Sequence, residues 1–365
     1  MSKPKNLSGL VDGWDRPTVP AMGEIQDKFW NDPNYEHLRK RFQKIRDLKK
    51  LDIFTTIVHM SHKINDNERQ KVVNSGSAKE LHIEKSGMRK ASAYNISGMK
   101  NKVIVNGTNY RVSSFPKWLT QGYAYYFTND NETILDPFAG HNSRMSAVIE
   151  AGRKYIGYDV CKGYIDNMQE TYNAMKKRYP AFPDCVLHWE SSENILEEDN
   201  SVDFIFSSPP FWNAEGYDDD PRQIGGRLSK IGSDVKYSEF LEKYRNIVKQ
   251  CYRVLKDGHY IGFNVEDMYR NGELNTLSTD TVQAFKDAGF TITDIVVTPY
   301  NSMAKTFLIG KFLWGHFGKT HGYIIFARKG KRLKFNDLKM EELLEKEKDN
   351  EEEEENADEN NDVEG

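Results

Sequence analysis

The stretch SVDFIFSSPPFW, residues 201–212, carries a run of strand-forming residues straight into two serines, two prolines and two aromatic rings. Proline has no backbone N–H and a fixed φ, so Pro209-Pro210 ends a hydrogen-bonded ladder abruptly. The carbonyl oxygens at such a corner stay available as acceptors, and Phe211 offers a flat stacking face beside them. A planar base set against Phe211 could give the two protons of an exocyclic amine to Ser208 and to the Pro209 carbonyl. That would draw the nitrogen lone pair out of conjugation and aim it at an electrophilic methyl in line. A tight turn that merely caps a strand is the other use of the same residues.

A second stretch, LDPFAGHNSR at 135–144, follows another strand-like run and opens a helix-like one. Ala139-Gly140 lets the backbone approach a ligand, and the helix start presents free N–H groups. Asp159 ends KYIGYD, 23 residues beyond Asp136. An acid about 20 residues past such a turn is where a ribose diol is gripped, so the pair points to an adenosine-bearing cofactor. The second glycine of a dinucleotide fingerprint is missing, with Asn142 in its place. No GK[ST] follows the first strand, which argues against nucleoside triphosphate hydrolysis.

These residues need strands and helices to hold them. ETIL (132–135), KYIGY (154–158), CVLHW (185–189), the run before the prolines and HYIGFNV (259–265) read as strands. Helical patterns fall at 142–151, 164–178, 237–255 (stopping at Asp257-Gly258) and in TVQAFKDAGF (281–290). Single helices between strands imply parallel neighbours with right-handed crossovers. The last two strands, TITDIVVTPY and GYIIFARK, have no helix between them and are expected to pair as a hairpin at one edge. The predicted fold is α/β, a Rossmann-like, doubly wound, mostly parallel sheet with a terminal antiparallel hairpin. Ligands of such sheets sit at the carboxyl ends of the strands, where the strand order reverses.

With these motifs in place, the chain resembles the S-adenosylmethionine-dependent DNA amino-methyltransferases of the N4-cytosine/N6-adenine type. LDPFAG is similar to their cofactor motif, YIGYD to their ribose-binding strand end and SSPPFW to their catalytic tetrapeptide with its flanking aromatic. SSFPKWLTQGYAYYFTNDNETI resembles the segment that closes over the methionine moiety. The resemblance covers about residues 113–330, in the order of one circularly permuted arrangement of the family. It implies S-adenosyl-L-methionine as cofactor, with Asp136, Phe138 and Gly140 on its methionine side, Asp159 on the ribose and Glu190 near the adenine. It implies Ser208, Pro209, Pro210 and Phe211 as the target-base site, and DNA as the partner. His141 and Asn142 depart from the family pattern, as does Glu190, where aspartate is more common. A tetrapeptide that begins with serine leans towards cytosine N4. The same chemistry on RNA, or a binding protein without turnover, would use the same motifs.

Other chemistries fit less well. Transfer to cytosine C5 needs a cysteine nucleophile after a proline, and none of Cys161, Cys185 and Cys251 follows one. A zinc deaminase needs H-x-E with P-C-x-x-C, and the cysteines form no metal-type cluster, so no metal is expected. An amine inside a duplex requires the nucleotide to be flipped out. Phe211 would recover about 1–3 kcal/mol by stacking, while Trp212 could stack as well or pack beneath the loop. Residues 214–230 read as a polar, glycine-rich loop over the site. Its aspartates 218–220 suit phosphate poorly, which leaves Arg222 and Arg227, with Lys230, as the DNA-contact candidates there.

Charge divides the chain into three segments with different jobs. Residues 1–110 carry a net +8, residues 111–340 balance, and residues 341–365 carry −12. The segment 1–110 is read as a basic, DNA-contacting region, 111–335 as the methyltransferase domain and 341–365 as an acidic tail that stays disordered. EHLRKRFQKIRDLKK (36–50) reads as a helix with an apolar stripe, and its Arg39, Arg41 and Lys44 are candidates for phosphate contact. The Ser/Gly-rich, basic run from Lys71 to Lys102 reads as a recognition element. No apolar run approaches the ~20 residues of a membrane span, and the scattered cysteines suit a reducing compartment. A cytoplasmic protein with no membrane partner is expected.

Overall fold

The computed structural model describes residues 115–140, 142–213, 220–226, 235–270, 272–299 and 320–331. It also describes residues 56–58, the backbone of 102–105 and 108–111, and single positions at 33, 36, 315 and 317. Apart from Glu36 and Lys102, the expected helix over 36–50 and the basic run 71–102 lie outside these residues. So do the acidic tail, His141 and the candidates Arg39, Arg41, Lys44 and Arg227.

Strands β1 (Lys102–Val105) and β2 (Thr108–Arg111) pair as an antiparallel hairpin. Helix α1 (Lys117–Phe127) follows, formed by part of the segment expected to close over the cofactor. The strands and helices then alternate: β3 (Thr133–Asp136), α2 (Asn142–Glu150), β4 (Lys154–Tyr158), α3 (Lys162–Arg178) and β5 (Cys185–His188). Next come β6 (Val202–Ser207), α4 (Tyr237–Val254) and β7 (Leu255–Val265). A short antiparallel pair, β8 (Met268–Arg270) and β9 (Glu273–Asn275), leads into α5 (Leu277–Ala288), β10 (Thr291–Pro299) and β11 (His321–Arg328).

Seven strands form one sheet in the order β10-β11-β7-β6-β3-β4-β5. β3 to β7 run parallel, whereas β11 is antiparallel to both β7 and β10. The expected antiparallel pair is therefore present at one edge, with β11 between β7 and the edge strand β10. The order reverses between β3 and β6, because successive strands after β3 first build outward to β5 and then restart on its other side. That switch point is where ligands of open α/β sheets bind.

β6 is buried along its whole length, as a central parallel strand covered on both faces should be. Alternate residues serve two cores. Phe204 and Phe206 pack with Trp118, Leu119 and Tyr123 of α1, Met145 and Val148 of α2 and Met168 of α3. Ile205 packs instead with Phe240, Tyr244 and Val248 of α4 and Phe285 of α5. In α4 the buried residues Phe240, Leu241, Tyr244, Ile247, Val248 and Cys251 recur at three- and four-residue steps, the period of a helix with one apolar stripe.

The sequence expectation fails at two places. Asp257-Gly258 does not stop α4, which ends at Val254 with β7 beginning directly at Leu255. Gly258 takes a left-handed φ of 78° inside a bulge of β7, where its N–H bonds to the Lys329 carbonyl at 2.8 Å. Residues 56–58, from the basic front, also join the sheet. Val58 N donates to the Val297 carbonyl and Val297 N to the Thr56 carbonyl, both at 2.8 Å, covering part of the β10 edge. No described helix is long and apolar enough to cross a membrane, and no group of metal-ligating side chains occurs among the described residues.

Gly262 of β7 lets the two phenylalanine layers close. A β-carbon there would lie 2.4 and 2.8 Å from the Phe326 ring and 3.1 Å from Phe206. Gly262→Ala should lower stability by about 1–3 kcal/mol, the usual cost of overpacking a tight core. The urea unfolding midpoint checks this, and an unchanged midpoint would show that the two rings have room to move.

Candidate active site at the switch point

The carboxylate of Asp136, at the end of β3, is buried and fully engaged. It accepts Arg144 Nε at 2.7 Å, Tyr155 OH at 3.0 Å, Ser207 Oγ at 2.5 Å and the Phe138 N–H at 3.3 Å. Arg144, one turn into α2, also donates to the carbonyls of Phe138 and Ala139. Burial pulls this guanidinium's pKa down, but Asp136 more than restores it, so Arg144 stays charged. Burial drives the Tyr155 phenol well above its ordinary range, which keeps it a neutral donor to Asp136. Asp136 therefore faces the interior, and of its neighbours in the turn Phe138 and Gly140 are partly exposed.

The loop after β3 is stitched to the next two strands. Ala139 N donates to the Tyr158 carbonyl at 2.8 Å, Gly140 N to Asp159 Oδ2 at 2.8 Å and Asp159 N to the His188 carbonyl at 3.1 Å. Gly140 has φ 54°, a conformation in which a side chain would be strained. Asp159 Oδ1 receives the Cys161 N–H at 2.8 Å, so each carboxylate oxygen holds one main-chain donor and keeps a second acceptor position. Burial pushes the Asp159 carboxyl up to about 6, against the lowering effect of those two N–H groups. Asn142, which stands where a glycine was expected, does not fill the turn. Its amide donates to Thr171 Oγ1 on α3 at 3.1 Å, away from the rim, and the residue is buried.

Glu190, just past β5, is half-exposed and accepts Arg222 Nη1 at 3.2 Å. Arg222 is held by more than Glu190. Asp220 takes its Nε and Nη2 at 3.0 and 2.9 Å, and its guanidinium lies 5.3 Å from the Trp189 ring centre. The structure thus brings this DNA-contact candidate against the expected adenine end, with its charge matched by two carboxylates. Ser192 Oγ donates to the Pro137 carbonyl, tying this loop back to the one after β3.

On the other side of β3, the tetrapeptide continues from β6. Pro209 and Pro210 are buried, while Ser208 and Phe211 are partly exposed. Trp212 is only 7% exposed and donates from Nε1 to the Val235 carbonyl at 2.7 Å, with Tyr237 edge-on at 5.2 Å. Of its two expected uses, packing beneath the loop is the one observed. The chain returns over this corner at Gly225, where a β-carbon would lie 2.8 Å from Pro210, and Gly226 N donates to the Trp212 carbonyl at 3.0 Å. Ser208 Oγ has a partner that the motifs did not indicate: it receives Asn264 Nδ2 at 3.2 Å. An amide inside the otherwise apolar strand HYIGFNV was the available signal. Arg144 and Tyr155 were missed too, because only the fold shows that they converge on Asp136.

Asp159 and Ser208 lie on the same rim. β3 pairs through Asp136↔Gly157 with β4 and through Leu135↔Ile205 with β6. The two residues therefore stand one strand to either side of β3, about 10 Å apart by two interstrand spacings. Phe115, just before α1, is buried in the core, with Arg144 5.7 Å from its ring centre and the Phe206 ring at 5.6 Å. The residues fit an adenosine-bearing methyl donor. A carboxylate with spare acceptor positions and a partly exposed glycine in the left-handed conformation share one edge.

Comparison with known proteins identifies the family. The DNA methylase family profile, of the N6/N4 methyltransferase type, matches residues 25–170 and 202–363. No curated protein matches the sequence. Among solved structures, a SAM-dependent methyltransferase from Methanosarcina mazei shares 14% identity over 57% of this chain and 97% of its own, with a TM-score of 0.37. The 1,6-didemethyltoxoflavin-N1-methyltransferase of Burkholderia thailandensis shares 11% identity over 58% of this chain and 77% of its own, with a TM-score of 0.38. The fold assignment rests on the strand order and not on these distant likenesses. With a family match over most of its length, the chain belongs to the DNA methylase family and is an S-adenosylmethionine-dependent DNA methyltransferase.

Proposed function

We propose that the enzyme methylates the exocyclic amino group of a DNA base, and that the serine opening the tetrapeptide favours cytosine N4 over adenine N6. The observation that carries this reading is the shared rim, which sets Asp159 and Ser208 on the two strands flanking β3. When bound, S-adenosylmethionine supplies an electrophilic methyl whose bond to sulfur breaks as the bond to the base nitrogen forms. Asp159 accepts the ribose hydroxyls with its spare positions, and Glu190 lies by the adenine. Phe138 and Gly140 line the methionine side. Asp136 acts one step back, holding their loop and the catalytic corner together.

Ser208 Oγ and the Pro209 carbonyl accept the two protons of the amine, which frees the nitrogen lone pair for attack. One of those protons leaves to water after transfer. The base must be flipped from the duplex to reach this corner, and Phe211 supplies the stacking face. Pro210 holds the corner rigid through its contact with Gly225. Arg39, Arg41 and Lys44 of the basic front and Arg227 of the loop are proposed to contact phosphates. Arg222 first braces the loop against Glu190, because Asp220 already neutralises it. The cysteines, all free, suit a cytoplasmic setting.

Two measurements test this reading. Mass spectrometry of nucleosides from duplex DNA treated with enzyme and cofactor should show an N-methylated base, and Ser208→Ala should abolish most of that product. Calorimetry should find the cofactor affinity of this variant nearly unchanged; equal losses of turnover and affinity would remove the role given to Ser208. The second measurement concerns Asp159. Only its ionised form can accept two ribose hydroxyls, and burial holds its carboxyl at about 6. Cofactor affinity should rise as pH climbs through about 6, by at most about tenfold per unit, and then level off. Asp159→Asn should bind more weakly and lose this slope; a variant that keeps the wild-type profile would show that another group grips the ribose.

A further inference from the structure

Asn264 lies one residue from the end of β7, flanked by Phe263 and Val265, which belong to the core beneath α4 and α5. Strand alternation turns its side chain to the opposite face, the face that also carries Ser208 two residues beyond Phe206. Asn264 is only 8% exposed. An amide is a poor filling for a buried strand unless its polar atoms are used. Here they are used on Ser208. Asn264 Nδ2 donates to Ser208 Oγ at 3.2 Å, and Ser208 Oγ in turn points its hydroxyl at the Asn264 main-chain carbonyl, at 3.5 Å.

A serine hydroxyl has one proton to give and two lone pairs to receive with. One residue therefore occupies the proton and one lone pair together, which leaves a single position on Oγ, and that position is an acceptor. We propose that Asn264 is a positioning residue that fixes Ser208 as a hydrogen-bond acceptor, so that its remaining lone pair faces the amine of the target base. This rests on the role given above to Ser208. Without Asn264 the hydroxyl can rotate and present its proton to the base. That proton would compete with the amine proton it should receive and oppose the release of the nitrogen lone pair. Asn264 touches neither cofactor nor base, and it acts only through the serine.

A double-mutant cycle reads this directly, because residues that act through one another are non-additive. The variants are Asn264→Leu, close in size but without polar atoms, and Asn264→Val, smaller, suited to a strand and equally without polar atoms. Each is made in the wild-type and in the Ser208→Ala background. Saturating turnover on duplex DNA and calorimetric cofactor affinity are measured for all. In the wild-type background each substitution should lower turnover by about tenfold or less, the kinetic equivalent of one hydrogen bond, with cofactor affinity unchanged. In the Ser208→Ala background neither should lower turnover further. If the leucine variant does not fold, the valine variant carries the cycle alone. Equal losses in both backgrounds would overturn the proposal and leave the role of Ser208 standing. Wild-type turnover in Ser208→Ala itself would overturn the role of Ser208 and this inference with it.

Discussion

The buried carboxylate of Asp136 is the interaction on which the site depends. It holds Arg144, Tyr155 and the Phe138 N–H on the side proposed for the cofactor and Ser207 on the side proposed for the target base. The loop proposed for the cofactor and the corner proposed for the target base meet in an Asp136–Ser207 pair 71 residues apart in the chain, and this one side chain joins them. A buried carboxylate without partners would be strongly unfavourable, and breaking such a pair typically costs about 3–5 kcal/mol. Here a guanidinium, a phenol, a hydroxyl and a main-chain N–H satisfy it, so the strain of burying charge becomes a constraint on geometry. Ser207 immediately precedes Ser208, so any shift of the β3 loop would be felt at the catalytic corner.

The same logic explains how the chain tolerates losing a glycine from the cofactor turn. Asn142 turns back to Thr171, and Arg144 braces the turn from behind through the Phe138 and Ala139 carbonyls. The missing glycine's freedom is thus not required at position 142, while Gly140 retains the left-handed conformation that the turn does need. At the far end of the rim, Arg222, Asp220 and Glu190 form a surface-linked charge cluster over Trp189. Its charges are paired among themselves, so phosphate contact is proposed for basic residues elsewhere.

Much of this was legible before any coordinates. Long, strongly periodic segments such as α4, and apolar runs such as β6, announce both their type and their place in a parallel sheet. The three strand ends were legible because proline, glycine and aspartate at those points each exclude ordinary strand continuation. What was not legible depends on distance in space. KWLTQGYAYYF gave no clear helical stripe to read, because α1 buries Thr120, Gln121 and Gly122 along with its apolar residues. Asp257-Gly258 imitates a helix stop, yet its glycine serves a bulge whose partner, Lys329, lies far along the chain. Trp212 could have stacked on a base or packed inward, and only the position of the Val235 carbonyl decides between these. Arg144 and Tyr155 carry no local signature of their roles, since each is defined by the Asp136 carboxylate on another element.

The most direct test of the central claim is the turnover of Ser207→Ala at saturating cofactor, read beside its cofactor affinity. Ser207 touches neither substrate; it only ties the catalytic corner to Asp136, and its replacement leaves the Arg144–Asp136 pair in place. Turnover should fall by up to about tenfold, the equivalent of one lost hydrogen bond, with affinity held. Turnover equal to that of the wild type would contradict the coupling of donor loop and catalytic corner through this carboxylate.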